Sequence, residues 1–322
     1  MHPRSGPRRL PYPVGAVCAA LLLAACSSSA GKGSGGDGTE PEVTATPAML
    51  KTAGLSFPLD AYEATAQEKA TLNRAQSALQ TQCMARYGFS YTPPKAPAGN
   101  ATSVANAQIF GVVDPEVAEQ YGYSSAKDVN PPVKAAKANL TESESLALSG
   151  EPDLVPDDMP MSQAEAEKEG GGKRKINGEA VPLGGCIRES YLKLYAPKPG
   201  VLDPLYVFNL KSEAESSTRE DSRVKAVNKR WSDCMAESGL SASDPMDAGP
   251  QLGFSGGTLS TAAAITAAKA DVACKKRGNL VGVYFAVTSA YQNRLLDQNA
   301  ETFDLARQQL DDRLKLAATL SS

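Results

Sequence analysis

Histidine is the first thing this chain lacks. Its 322 residues include one, His2, in a segment expected to be cut away. The mature protein would then hold none, which excludes a Ser-His-Asp triad, a Cys-His pair and any metal site built on imidazole. Excess positive charge is also missing. The chain carries 33 basic and 36 acidic residues, and losing Arg4, Arg8 and Arg9 with the first 25 residues moves the net charge from −3 to −6. That balance argues against nucleic acid as a partner and against polybasic attachment to anionic lipid. The apolar run at 14–25 falls short of the roughly 20 residues a stable span needs, and no later run is long enough. Alternating β-branched runs are scarce, and repeated βαβ patterns are absent.

What is present begins with an address. A basic start, a short apolar stretch and small residues before a cut make 1–25 a secretory signal. The cut region, Leu-Ala-Ala-Cys at 23–26, looks like a bacterial lipobox, in which Cys26 is lipidated and becomes the mature N-terminus. The anchor must then be acyl chains, on the extracytoplasmic face of the cell membrane. Residues 26–47 are rich in Gly, Ser, Thr and Pro and read as a disordered tether. As a flexible coil it would place the domain roughly 25 Å from the lipid. The remainder, 48–322, has ample length for one sizeable core.

Cys18 leaves with the signal and Cys26 carries lipid, so four cysteines remain: Cys83, Cys186, Cys234 and Cys274. An even number outside the cytoplasm reads as disulfides, with three possible pairings. The favoured pairing is Cys83–Cys186 and Cys234–Cys274, because the chain repeats itself. Two segments contain Cys-Met-Ala-x-x-Gly, at 83–88 and 234–239, and each is followed by a second Cys shortly before a Tyr-containing apolar segment. This divides the domain into halves at about 48–210 and 211–322. In the chain-entropy model such loops contribute roughly 4 to 5 kcal/mol each as upper estimates. A zinc site of four thiolates is the alternative, but no Cys-x-x-Cys pair is present and extracellular thiols tend to oxidise.

The fold class expected is mainly α: an irregular helical domain with long loops, two disulfides, a long C-terminal helix and a minor hairpin at most. Asp60 with Glu63 resembles an N-terminal cap, and Leu72, Ala75, Leu79, Cys83 and Tyr87 share one face of the helix that follows. The Pro- and Gly-dense middle supports short pieces, with capping boxes at Thr141/Glu144 and Ser162/Glu165, and 151–181 reads as a mobile surface excursion. A helix at 184–195 would pack through Ile187, Tyr191, Leu194 and Tyr195. After a connector, Ser212 and Glu215 open another, with Val224, Val227, Trp231 and Met235 on its inner face. A helix follows from about Leu259. The segment 280–320 keeps helical spacing as one helix of about 40 residues, roughly 60 Å long.

Several motifs invite a function. Gly-Phe-Ser-Gly-Gly at 253–257 matches a nucleophile elbow around Ser255, yet no strand precedes it and no histidine exists to act as base; a Gly-rich loop before a helix explains it as well. Glu189-Ser190 and the Ala-Tyr-Gln-Asn at 290–293 resemble fragments of lytic transglycosylases, where a lone Glu serves as general acid. The Gly-Leu-Met-Gln motif expected between them is missing, and a surface Glu with a core-facing Tyr291 is the plainer account. The glycines and basic residues at 170–175 lack Walker spacing, and Asp157 with Asp158 lacks the alternating acids of a calcium loop. Trp231 offers a ligand platform, but its place on the apolar face makes it core.

Together the lipobox, the paired Cys-Met-Ala-x-x-Gly motifs, the Glu-Gln-Tyr-Gly-Tyr at 119–123 and the long C-terminal segment resemble a group of uncharacterised lipoproteins of high-GC Gram-positive bacteria. The resemblance implies a role in the cell envelope and transfers no catalytic residue. The expectation is a non-enzymatic, lipid-anchored envelope protein that binds a partner protein or a cell-wall component such as peptidoglycan, with no cofactor and no metal. The alternatives are a peptidoglycan-active hydrolase or lyase using carboxylates alone, and a transporter-associated substrate-binding lipoprotein. Non-reducing peptide mapping checks the pairing: a peptide joining Cys83 to Cys186 is expected, and one joining Cys83 to Cys234 would overturn the two-corner arrangement.

Overall fold

In the computed structural model the described residues are 39–49, 52, 54–94, 106–125, 139–155, 157 and 159–320. The signal segment, Cys26 and the first part of the tether lie outside them. The chain begins with a 3-10 turn, Pro58–Tyr62, and α1, Ala66–Arg86. Asp60 belongs to the turn: its Oδ2 accepts the Phe57 N–H at 2.7 Å, and Lys211 pairs with it at 2.7 Å. The cap of α1 is instead Thr65 with Glu68, a reciprocal box in which the Thr65 N–H donates to Glu68 at 2.7 Å. The expected start at Asp60 is therefore displaced by one short turn.

Short elements follow: α2 (Pro115–Tyr121), α3 (Glu142–Ser149), α4 (Gln163–Glu169) and the strands β1 (Lys175–Ile176) and β2 (Glu179–Ala180). The boxes at Thr141/Glu144 and Ser162/Glu165 both form. The strands pair antiparallel, Lys175 with Ala180 and Ile176 with Glu179, around Asn177-Gly178, both at positive φ. Asn-Gly is the strongest short-range hairpin signal, and treating 151–181 as an excursion passed over it. In the described residues that segment is folded against the body: Val181 is fully buried and Ser162 nearly so.

The remaining helices are α5 (Gly185–Tyr195), α6 (Tyr206–Glu220), α7 (Ser222–Glu237), the single turn α8 (Ala248–Gln251), α9 (Ala262–Arg277), α10 (Leu280–Gln298) and α11 (Ala300–Leu320). The fold is mainly helical, as expected. Three local expectations change. Ser212 lies inside α6, not at a cap; the cap of α7 is Asp221, whose side chain accepts the Arg223 N–H. On α5, Leu194 is buried but Ile187 is 45% exposed, because Cys186 must face its partner and so turns the next residue outward. The C-terminal segment breaks at Asn299, whose side-chain amide donates to the Leu295 carbonyl at 2.9 Å, a local bond that competes with continuing the helix.

The break lets the last two helices serve different parts of the core. Helix α10 packs with α7 through Trp231, Met235, Leu280, Tyr284 and Val287. Helix α11 packs with α1 and α5 through Leu72, Ala75, Leu79, Leu194, Leu310 and Ala317. The two Cys-pair halves are thus interleaved, and residues from Glu40 onward form one compact unit. No helix of the described residues is long and apolar enough to cross a membrane.

The end of the expected tether belongs to this unit. Glu40 accepts from the Ser222 N–H at 2.6 Å and the Ser222 hydroxyl at 2.8 Å. Arg223 donates to the Pro41 carbonyl, and Val43 packs on the core. The Pro47 carbonyl accepts from Asn279 and lies so near α10 that a Cβ at Gly282 would collide with it. Proline and threonine made 40–47 look like linker, but the Pro41 and Pro47 carbonyls find partners across the fold.

Asp221 ties this region together. Its Oδ2 pairs with Arg223 at 2.5 Å and its side chain is fully buried. Burial alone would raise its carboxyl, but hydrogen bonds from the Arg223 side chain and backbone outweigh this and hold it below the ordinary 3.8. The stability it contributes is therefore complete above the unfolded value and is lost as pH falls through the lower folded one. Asp221→Asn is expected to lose about 1–2 kcal/mol at pH 7 by urea denaturation. The difference from the parent should shrink as pH falls below 3.8; a gap that stays constant down to acid pH would contradict the assignment.

Candidate functional site

Both Cys-Met-Ala-x-x-Gly phrases build the same corner. After α1, the Gly88 N–H donates to the Ala85 carbonyl and the Phe89 N–H to the Met84 carbonyl. After α7, the Gly239 N–H donates to Ala236 and the Leu240 N–H to Met235. This doubled bond pattern needs a left-handed residue, supplied by Gly88 at φ 81° and Gly239 at φ 73°. The met side chains, Met84 and Met235, are fully buried. One turn earlier, Cys83 joins Cys186 with Cα atoms 5.6 Å apart, and Cys234 joins Cys274 at 5.7 Å. The cysteines thus form two bridges, not a four-thiolate site. Among the described residues no group of three or more His, Cys, Asp and Glu is placed to hold a metal ion.

A cleft of about 290 Å³ opens beside the first corner, between the end of α1, α4, the hairpin and α5. Its inner wall holds Glu189, which is only 8% exposed; the surface glutamate expected there is buried, on the same side of α5 as Cys186. Arg86 donates to Glu189 Oε2, and Lys193 donates to Oε1 at 2.5 Å. Oε2 also lies 3.6 Å from the Cys83 sulfur. Burial alone would lower the Arg86 guanidinium, but the Glu189 carboxylate outweighs it and holds that group above its ordinary value. Burial pushes the Tyr87 hydroxyl up; it donates to the Ala180 carbonyl at 2.7 Å and fastens the hairpin to the corner. Glu167 and Glu179 line the outer rim.

The other candidates are scattered. Tyr291 interacts with Asp221 and with Arg294, so the transglycosylase-like fragments face different neighbours. Ser190 is buried and donates to the Ile187 carbonyl at 2.8 Å. Ser255 sits in an exposed loop and its N–H donates to the Thr258 hydroxyl at 2.8 Å, which fits a Gly-rich loop before a helix. Asp157 is exposed, and Asp158 lies outside the described residues.

Beside the second corner lies a buried network that sequence reasoning missed. Trp231 is fully buried, as expected for core, and its indole N–H donates to Asp271 Oδ1 at 2.8 Å. Lys275, 2% exposed, donates 3.0 Å hydrogen bonds to Asp271 Oδ2 and to the Phe110 and Val112 carbonyls. Burial pushes Asp271 up and Lys275 down, each opposed by the other's charge. All three ammonium protons have acceptors, the condition under which a buried ion pair is tolerated. The signal was an acid and a base four apart on the Ala264–Ala268–Val272 side of α9, flanking Cys274. The network ties α7, α9 and the 110–112 segment together and exposes neither charge.

No protein-family model, curated protein or solved structure matches this chain. Lys275→Met should cost about 3–5 kcal/mol in urea or thermal unfolding, because Asp271 would be left buried and unpaired. Adding Asp271→Asn, which keeps an acceptor for Trp231, should recover part of that loss. A double variant as unstable as the sum of the singles would show that the pair is not coupled.

Proposed function

We propose that this chain is a non-enzymatic, lipid-anchored protein of the cell envelope, held to the membrane through Cys26, whose helical domain binds a partner protein or a cell-wall component. The observation that carries the reading is the state of Glu189. It is an almost buried carboxylate in the wall of a cleft, yet Arg86 and Lys193 occupy both its oxygens. Catalysis by a lone glutamate requires an oxygen free to give up a proton or attack a glycosidic carbon. Here either step must first break an ion pair. The arginine instead fixes the end of α1 to α5 beside a disulfide, while Lys193 holds the second oxygen from within α5, which suits a rigid binding scaffold. The lipobox and the resemblance to envelope lipoproteins support the location, and the two disulfides suit an oxidising compartment.

Cross-linking in intact envelopes followed by recovery of the full chain should yield a reproducible, specific partner, and repeated failure to find one would count against binding. Purified protein should release no muropeptides from peptidoglycan. Release that Glu189→Gln abolishes would replace this function with the carboxylate hydrolase.

A further inference from the structure

Two arginines on this surface have no carboxylate partner among the described residues. Arg188 lies over the ring of Tyr191 at 5.4 Å and Arg313 over Tyr195 at 5.6 Å. The two tyrosines stack on each other with centroids 5.1 Å apart, so the four side chains form one continuous array along the outer face of α5. Five other arginines pair with acids, Arg86 with Glu189, Arg174 with Glu142, Arg219 with Glu215, Arg223 with Asp221 and Arg277 with Glu237, while Arg74 and Arg307 are held by Thr71 and the Ala61 carbonyl. Arg188 and Arg313 are both half-buried, and burial without a counter-charge disfavours the ion, so an incoming carboxylate would be favoured at either. Arg188 has one strong acceptor, the Pro160 carbonyl at 2.7 Å, while its buried Nε has none.

The array is flanked by exposed apolar side chains. At one end are Met161, 71% exposed, and Ile187; at the other, Leu205 and Phe208, each 58% exposed. Tyr195, Arg313, Leu205 and Phe208 line one groove of about 310 Å³ between α1, the start of α6 and α11; of the two acids in its lining, Glu63 is paired with Lys69 and Lys211 and Asp203 accepts the Leu205 N–H. Leu205 and Phe208 meet in that groove as exposed apolar side chains, the kind of surface that marks interaction sites, and aromatic and arginine side chains are the residues that most often dominate them.

We propose that this stripe is a docking site for an acidic, apolar segment of a partner protein. Carboxylates of the segment pair with Arg188 and Arg313 while its apolar side chains cover Phe208, Leu205 and Ile187. The inference rests on the partner-binding function and assigns it a surface and a partner chemistry. A glycan fits less well. Sugars need free ring faces, and here Tyr195 already meets Tyr191 and Arg313, while Tyr62 meets Phe303 and Arg307. A flat anionic membrane does not fill a concave groove.

The test uses the full chain and two labelled peptides, one alternating glutamate with leucine and phenylalanine, the other with lysine replacing each glutamate. Fluorescence anisotropy should show the acidic peptide binding at least about tenfold more tightly, with the preference weakening as salt is raised. Arg188→Gln/Arg313→Gln should weaken acidic-peptide binding by about fivefold or more, as should Leu205→Ser/Phe208→Ser, whose exposed positions leave folding intact. Equal binding of the two peptides, or binding that neither variant changes, overturns the proposal. So does a Cys26→Ala chain that ignores the peptide but binds phosphatidylglycerol vesicles through the same residues. A photo-cross-linker at Phe208 or, as a control, at Lys229 separates the two levels. A partner captured at Lys229 and not at Phe208 keeps the general function and removes this site, whereas none at either position counts against both.

Discussion

A helix end must satisfy its last carbonyls, and here a left-handed glycine does so at two places, Gly88 and Gly239. The rest of the domain hangs on those two corners. Because the glycine fixes where each helix stops, the residues just before it are fixed in direction. Met84 and Met235 point inward, and Cys83 and Cys234 point at helices far away in sequence, across separations of 103 and 40 residues. Each bridge therefore joins two helices at a defined rotation. That rotation decides what else faces the core, which is why Ile187 is turned out and Glu189 in.

The corners differ in what surrounds them. The first is lined by an open ion cluster, with Glu189 between Arg86 and Lys193 at the wall of a cleft. The second is sealed by Trp231, Asp271 and Lys275, whose charges meet only protein. Both hold helices together with charge-assisted hydrogen bonds, but only the first meets solvent. The interleaving of α10 and α11 across the two halves adds a further constraint. Movement of one corner must be transmitted through a helix pair broken only at Asn299. The arginine–tyrosine stripe runs from α5 to α11, two helices packed on each other in this body.

Much of the helical pattern was legible. The inner faces of α1 and α7 follow their apolar spacing, both capping boxes in the middle form, and the disulfide pairing follows from the repeated phrase. The misplacements share one cause: local signals competed and distant contacts chose between them. Asp60 and Ser212 both have good capping chemistry, yet Asp60 is held by Lys211 in an earlier turn, and Ser212 falls within a helix whose start is set where Val207 meets Leu59 and Phe303. The stretch at 40–47 has linker composition but meets Ser222, Arg223 and Asn279. The Glu189 cleft and the Asp271–Lys275 pair were harder still, since a charged residue on a helix looks the same in sequence whether it faces water or a counter-ion.

Local chemistry was therefore enough to specify which segments are helical, where glycine stops them and which cysteines pair. It also confined imidazole to a single residue, His2, because residue type alone decides that. Which charges are buried, which arginines lack acids and how 40–47 is docked depended on packing between residues up to 246 positions apart. Burial and pairing are properties of neighbours in space, and a helical sequence constrains only the neighbours three or four residues away.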